Sequence, residues 1–157
     1  MKNEIERKFL IKKMPNLNDL QCVNYERYFI YNEAGVEIRV QKKWDIYEFE
    51  RKETENTLFA KKLKYKITKT EFEQLKKQAP YWIFRKSYKI SQEPDISIKV
   101  YSDRFEWLQR VEVEFNSEEQ AHSFVIPDWF GEEITDSPIG RDSQLINLSE
   151  EEFKKLI

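Results

Sequence analysis

The sequence predicts a β-rich α+β fold in which eight antiparallel strands close into a barrel, with a few helices covering it. Three observations support this prediction. Polar and apolar residues alternate in eight separate runs, which is typical of half-buried strands. Helical patterns occur in only three short places, each beginning at a serine or threonine. Closure into a barrel also removes the exposed edges that a sheet of eight strands would otherwise carry.

The eight runs follow one another along the chain. In the first, Glu4, Glu6 and Lys8 share one face, because side chains on a strand alternate with a period of two residues. The last run repeats the pattern, with charged residues at even positions and apolar residues at odd positions between Arg110 and Phe115. The predicted strands cover residues 3–11, 24–31, 36–42, 45–53, 58–67, 82–90, 95–102 and 107–115.

Three helices are predicted from a serine or threonine followed three residues later by glutamate or glutamine, the spacing of a capping box. They begin at Thr70, Ser117 and Ser149. Each carries an apolar stripe, and we expect the stripes to pack on the outer apolar rows of the barrel. The length of 157 residues is close to the common size of one domain, so we expect a single domain over 1–157.

The charged rows of the strands indicate that the barrel binds a charged ligand. Alternating charge in one strand most often marks a solvent-facing side, and for either acidic strand alone this is the commoner explanation. Here every strand has one polar row and one apolar row. In a closed barrel, inward rows of Glu, Lys and Arg would repel or lose solvation unless they are paired or ligated. The two acidic strand faces indicate a site for a hard cation.

Composition excludes several other classes of protein. Charged residues make up 36% of the chain, which suits a charged interior as well as a charged surface, and the net charge of −2 does not favour bulk binding to nucleic acid. Three glycines exclude a P-loop or Rossmann phosphate loop. The one cysteine, Cys22, and the absence of a long apolar run predict a cytoplasmic protein that does not bind a membrane. His122 has no His or Cys partner, so we expect no metal role for it.

The order of these residues along the chain resembles the CYTH superfamily, also called triphosphate tunnel metalloenzymes. The resemblance covers nearly the whole chain. It is carried by Glu4-x-Glu6-x-Lys8, Glu37-Ile38-Arg39, Lys52, Val111-Glu112-Val113-Glu114-Phe115, the acidic helix at 117–121 and the segment at 127–135. It implies a closed antiparallel tunnel that binds the triphosphate of a nucleotide, thiamine triphosphate or inorganic triphosphate.

The resemblance also implies roles for individual residues. By position, Mg²⁺ or Mn²⁺ would be ligated by Glu4, Glu6, Glu112 and Glu114. Phosphate oxygens would be contacted by Lys8, Arg39, Lys52 and Arg85. These residue types suit the roles, because carboxylate oxygens match hard divalent ions and cationic side chains neutralise phosphates. No residue is identified as catalytic.

The chain departs from the family pattern most clearly in the fifth strand. An Arg-x-Glu-x-Glu row is replaced there by Ala60, Lys62 and Lys64, while Gln41 replaces an arginine of the third strand and Lys99 an acidic position of the seventh. We therefore expect a second metal ion to bind poorly. We also expect the carboxylate that helps to activate water to be missing, and the loss of such a base costs ~10²–10⁴ in rate.

Two functions from different classes fit these residues. The first is a metal-dependent triphosphatase that acts on inorganic triphosphate or a small organic triphosphate. The alternative is a catalytically impaired tunnel that binds a polyphosphate, and an adenylate cyclase is a third, weaker possibility because no adenine pocket is evident. The expected partner is a triphosphate-containing small molecule or inorganic polyphosphate, with no nucleic acid and no membrane.

Overall fold

A computed structural model of the protein describes residues 2–157. Within them, antiparallel strands form one sheet, and the strands are β1 (Lys2–Ile11), β2 (Cys22–Glu33), β3 (Val36–Lys43), β4 (Ile46–Thr54), β5 (Phe59–Ile67), β6 (Tyr81–Ser91), β7 (Asp95–Tyr101), β8 (Gln109–Phe115) and β9 (Phe130–Glu133). Their order is β5-β4-β3-β2-β6-β7-β8-β1-β9, and β5 also pairs with β1. The first eight strands therefore close into the barrel that the alternation predicts.

Closure depends on β1, which has neighbours along both of its edges. One edge pairs with β8 from Ile5 to Leu10. The other edge pairs with β5 from Lys2 to Ile5 and with β9 from Phe9 to Ile11. The ends of all eight predicted strands agree with the observed ends to within two residues. The sequence does not predict β9, because a strand of four residues is too short to show alternation.

Two apolar cores lie on different sides of the barrel wall. The outer core packs the outward rows of β1, β7 and β8 against α2 (Glu118–Ser123) and β9. The inner core fills one end of the barrel, where inward positions of the strands become apolar. Its buried members are Phe29, Ile83, Tyr101, Phe105, Leu108, Ile134, Ile139, Leu145, Ile146 and Phe153. The C-terminal segment thus closes this end of the barrel.

The helices begin close to the predicted places, with one correction. α1 (Lys69–Lys76) is capped by a box formed by Thr68 and Glu71, so the predicted start at Thr70 is wrong by two residues. The sequence Thr68-x-x-Glu71 has the same spacing, and the backbone forms the box there. Ser117 caps α2, and Ser149 caps α4 (Glu150–Leu156) with a full capping box.

The helices also differ in what they cover. α1 packs Phe72 on Tyr28 and Tyr47, on the outside of the barrel as predicted. α4 instead places Phe153 in the inner core, so the prediction of an outer position is wrong for α4. The reason is that the inward row at this end of the barrel is apolar and needs cover. A short helix that the sequence does not predict, α3 (Asp142–Leu145), lies in the same segment. No helix in residues 2–157 is long and apolar enough to cross a membrane.

Candidate functional site

The barrel encloses a charged cavity of about 200 Å³ that is lined by all eight barrel strands. Among the described residues, its lining has eleven Lys and Arg side chains and eight Asp and Glu side chains. The lining therefore carries a formal excess of three positive charges, although the protein as a whole carries −2. Low-dielectric walls focus such a field, which attracts anions into the cavity.

Every residue with a predicted role lies in this cavity. They face the cavity because they lie on the inward side of their strands, as the alternation in the sequence predicts. These residues are Glu4, Glu6, Lys8, Arg39, Lys52, Arg85, Glu112 and Glu114, and Glu37 lies with them. The substituted positions Lys62, Lys64 and Lys99 line the cavity as well. Their location is thus established, while their individual roles stay predictions.

A group of three arginines surrounds one carboxylate beside the inner core, and we call it the arginine cluster: Arg27, Arg85 and Arg110 around Asp142. Asp142 Oδ2 lies 2.6 Å from Arg27 Nη1 and 3.0 Å from Arg85 Nη1. Asp142 Oδ1 accepts from Tyr101 Oη at 2.6 Å and from Arg110 Nη2 at 3.1 Å. All five side chains are buried. Burial alone would raise the pKa of Asp142, but the three guanidinium groups hold it well below its usual range.

The backbone before α3 positions Asp142. A 3-10 turn at Pro138–Gly140 precedes it, and Arg110 Nη1 donates to the carbonyl of Ile139 at 3.0 Å. Gly140 approaches the strand-end backbone closely, since a Cβ there would lie 2.0 Å from the carbonyl oxygen of Ile134. The chain needs a glycine at this contact, and the close packing brings Asp142 onto the arginines.

The opposite wall consists of lysines and glutamates from β1, β4 and β5, and we call it the lysine wall: Lys52, Lys62, Lys64, Glu4 and Glu50. Glu4 lies 3.2 Å from both Lys52 Nζ and Lys62 Nζ, through its two different oxygens. Lys62 Nζ is also 3.7 Å from Glu50 Oε2. Although burial raises the pKa of Glu4, the two ammonium groups lower it to about 2.

The acidic side chains of β4 correct the expected charge of this wall. Lysines at the positions where the family pattern has β5 glutamates would by themselves make this wall cationic. The structure instead places Glu48 and Glu50 on the neighbouring strand, both buried. Glu50 contacts Lys62, Arg27 and Arg39, and Glu48 lies 3.9 Å from Lys64. Lys62 and Lys64 therefore each have a β4 carboxylate within 4 Å, and Lys62 also has Glu4 of β1.

The four predicted metal ligands each contact a different cation. Glu4 contacts the wall lysines as described, Glu6 lies 3.4 Å from Lys8, Glu112 2.6 Å from Arg110, and Glu114 3.0 Å from Lys2. Within residues 2–157, no three Asp, Glu, His or Cys side chains are gathered as a cation site. Metal binding would require these carboxylates to exchange partners.

The cavity nevertheless offers atoms that suit a divalent cation together with an anion. Glu6 and Glu114 are directly opposite each other on β1 and β8, where like charges repel unless a cation lies between them. Two buried carboxylate oxygens, Glu4 Oε2 and Glu50 Oε1, have no hydrogen-bond partner. Lys52 approaches Glu4 Oε2 to 3.2 Å but outside hydrogen-bond geometry. Oxygen donors of this kind match Mg²⁺ or Mn²⁺.

Two lysines of the cavity titrate closer to neutral pH than ordinary lysines. Burial lowers the pKa of Lys8 to about 8, with Glu6 acting in the opposite direction. Burial also lowers the pKa of Lys99 to about 8. Lys99 Nζ donates to Ser87 Oγ at 2.8 Å and lies 5.7 Å from the centroid of the Tyr25 ring, and it forms no salt bridge with a carboxylate of the described residues.

Sequence reasoning assigned no role to five buried charged residues of the tunnel. Four of them share the inward parity of their strands, so the alternation places them on the charged rows: Arg27, Glu48, Glu50 and Arg110. The fifth, Asp142, follows a turn and carries no periodic signal. Its position depends on how the C-terminal segment packs into the barrel end.

Comparison with known proteins gives one relative of similar length. The chain is 31% identical to the inorganic triphosphatase of Nitrosomonas europaea over 137 residues, which is 85% of this chain and 89% of that protein. The crystal structure of the inorganic triphosphatase NE1496 has a TM-score of 0.69 at 26% identity, over 95% of this chain and 97% of that one. No family model matches the chain.

A more distant likeness concerns the fold alone. A candidate adenylate cyclase from Bacillus halodurans has a TM-score of 0.58 at 17% identity, over 78% of this chain and 86% of that one. Proteins with little sequence similarity to this chain therefore have the same barrel fold.

Proposed function

Because the chain belongs to the CYTH superfamily of triphosphate tunnel enzymes, we propose that it hydrolyses inorganic triphosphate inside the barrel. The observation that carries this proposal is the positively charged cavity, closed by the C-terminal segment at one end, within a protein of negative net charge. The named activity of the Nitrosomonas europaea relative supports the same substrate.

The size of the cavity favours a small substrate. Its volume of about 200 Å³ is below the ~300–1,000 Å³ usual for pockets that hold drug-sized ligands. A nucleotide would need room for its base and sugar as well as for its phosphates. Inorganic triphosphate is thus the favoured substrate, and an adenylate cyclase is not supported.

Phosphate oxygens would bind to Lys8, Arg39, Lys52 and Arg85. Two of these side chains have spare donors, since Arg39 Nε and Arg85 Nε are buried without a hydrogen-bond partner. A buried unpaired donor is unfavourable, and a phosphate oxygen would satisfy it with a charge-assisted hydrogen bond. Lys99 faces the same cavity with no carboxylate partner among the described residues, so it would supply a further contact.

A divalent cation would be held by Glu4, Glu6, Glu112 and Glu114. When bound, Mg²⁺ or Mn²⁺ supplies Lewis-acid stabilisation of charge on the phosphates. Glu4 must first lose its contacts with Lys52 and Lys62. Triphosphate would provide replacement partners for these ammonium groups, so binding of the anion and release of the carboxylate favour each other.

The second candidate function is triphosphate binding with slow turnover. It is favoured by one specific observation: the tunnel-facing positions of β5 carry Ala60, Lys62 and Lys64, with no carboxylate among them. A base that orders water would have to come from another strand. Glu50 on β4 is the nearest buried carboxylate to Lys62 outside β1, at 3.7 Å, and it is held by arginines.

The proposal is tested by phosphate release from inorganic triphosphate, ATP and thiamine triphosphate, with Mg²⁺ and with Mn²⁺, beside calorimetric binding of the same compounds. We expect release from inorganic triphosphate that depends on the divalent ion. Lys8→Met should abolish it, whereas Lys154→Met, on the exposed face of α4, should leave it unchanged. Tight binding with little release would select the second candidate. Absence of both binding and release would refute the function in either form.

We further propose that residues 1–157 act as one domain and that the protein works in the cytoplasm. The length is close to the common domain size. Cys22 is the one cysteine and is free, which suits a reducing compartment.

A further inference from the structure

The predicted phosphate-binding residues include Arg85 but do not explain why two further arginines and an aspartate lie beside it in the arginine cluster. Three guanidinium groups, each from a different strand, converge on the carboxylate of Asp142, although Arg110 and Arg85 also contact Glu112 and Arg27 also contacts Glu50. The carboxylate of Asp142 comes from the C-terminal segment and not from the barrel wall. Asp142 also accepts from Tyr101, so both of its oxygens are fully used.

Convergence of several arginines on one small volume is the arrangement that proteins use to bind oxyanions such as phosphate. Three buried positive charges in one place require an anion, because their mutual repulsion and lost solvation are otherwise unfavourable. In this chain the anions are side chains of the protein itself: Glu112 and Glu50 each contact one or two of the arginines, and Asp142 contacts all three. The carboxylate of Asp142 therefore takes the place that a phosphate group would fill.

We propose that Asp142 occupies an oxyanion subsite at the closed end of the tunnel and thereby limits the number of phosphate groups that the tunnel accepts. This inference rests on the proposed function, because it concerns the length of the same substrate. Arg85 marks the limit: its Nη1 donates to Asp142, whereas its Nε is left without a partner. A terminal phosphate can bind at Arg85, and Asp142 occupies the space and the arginine donors that a further phosphate would need.

The position of Asp142 is fixed by the packing around it. The 3-10 turn before it contacts the backbone of Ile134 through Gly140, and Leu145 and Ile146 after it are buried in the inner core. Withdrawal of the carboxylate would expose that core. Asp142 thus acts as a permanent stop and not as a movable lid.

The test compares inorganic triphosphate with inorganic tetraphosphate by calorimetry, with EDTA present so that no metal contributes. In the natural protein we expect triphosphate to bind more tightly. In Asp142→Ala, the ratio of tetraphosphate affinity to triphosphate affinity should rise by at least ~10-fold, since an extra phosphate gains charged hydrogen bonds. Asp142→Asn, which keeps the shape but removes the charge, should give a smaller rise. An unchanged ratio in both variants would overturn the proposal.

Glu133→Gln is the matched control, because it removes the same charge from an ion pair with Arg7 that lies outside the cavity. We expect no change in the affinity ratio for this variant. A change equal to that of Asp142→Ala would show that net charge, and not the subsite, is responsible.

A second measurement keeps the proposal testable if Asp142→Ala is unstable. Orthophosphate should raise the thermal unfolding temperature of Asp142→Ala more than that of the natural protein or of Glu133→Gln, since ligands that bind the native state stabilise it. Recovery of folding on addition of phosphate would count as support. Equal responses in all three proteins would reject the subsite. Failure of the natural protein to bind or hydrolyse triphosphate would reject the proposed function. The effect of orthophosphate on the unfolding temperature does not depend on triphosphate, so the two proposals can fail separately.

Discussion

The arginine cluster and the lysine wall face each other across one cavity, yet they hold their charges differently. In the cluster, Asp142 contacts its partners at 2.6–3.1 Å. In the lysine wall, the contacts of Lys52, Lys62 and Lys64 lie at 3.2–3.9 Å. The side chain of Arg110 is 2% exposed, whereas that of Lys62 is 18% exposed and that of Lys64 41%. The cluster thus has shorter contacts and more deeply buried cations than the wall.

The difference follows from the chemistry of the two cations. Guanidinium is planar, always charged and able to donate several hydrogen bonds in fixed directions. Ammonium is a compact charge on a flexible stem, and it can change partners or lose its proton when buried. We therefore expect the two regions to serve two tasks. The arginines would fix the end of the cavity, and the lysines would pass from glutamates to an incoming phosphate.

The largest expected effect is on stability, and it tests whether the closer and more buried contacts of the cluster stabilise the fold more than those of the wall. Arg110→Met leaves Asp142 and Glu112 with fewer partners in a buried place, so we expect a loss of about 3–5 kcal/mol in the free energy of unfolding. Lys62→Met should lose less, because Lys52 still contacts Glu4. Urea denaturation of both variants measures the difference. Equal losses would contradict the distinction between the two regions.

The next prediction concerns the cation site near the lysine wall. Replacing both Glu6 and Glu114 with Gln should reduce Mn²⁺ affinity by more than the ~10–100-fold that is typical of losing an outer-shell partner. These two residues are preferable to Glu112, which also accepts hydrogen bonds from Arg110 of the cluster. Calorimetric titration of Mn²⁺ provides the measurement, with circular dichroism to check the fold. Unchanged affinity would assign the pair a structural role.

A third prediction tests the lysines of β5 directly. Lys62→Glu with Lys64→Glu should increase single-turnover hydrolysis of inorganic triphosphate by ~10-fold, a part of the ~10²–10⁴ expected from a positioned base. Lys61→Glu is the control, because Lys61 lies on the same strand but pairs with Glu55 on the exposed side. Hydrolysis by the natural protein at the 1–10³ s⁻¹ usual for enzymes, about as fast as in any variant, would reject the slow-turnover function.

The smallest expected effect is a pH dependence that runs in opposite directions for stability and binding. The folded pKa values of Lys8 and Lys99 are lowered to about 8 from 10.5. Between pH 8 and 10.5 the unfolded chain therefore binds more protons, so stability without ligand should rise with pH. Triphosphate affinity should fall severalfold over the same range, because both ammonium groups lose their charge. Calorimetry and thermal unfolding at matched pH values provide the check, and parallel trends would contradict it.

Sequence reasoning found the residues of the lysine wall more completely than those of the cluster. Glu4, Lys52, Lys62 and Lys64 all lie on strands with clear alternation, so their side of the sheet follows from parity. Their ionic partners did not follow, because pairing depends on which strand lies next to which. The contacts of Glu50 with Arg39 and Lys62, from the strands on either side of β4, are an example.

What the sequence by itself determined is the set of barrel strands and the side of the sheet on which each charge lies, because alternation with a period of two is a local property of the chain. The tertiary structure alone decided that the C-terminal segment closes one end of the barrel and brings Asp142 onto Arg27, Arg85 and Arg110. That contact joins residues up to 115 positions apart in the chain. It depends on the burial of an apolar core and not on any local pattern.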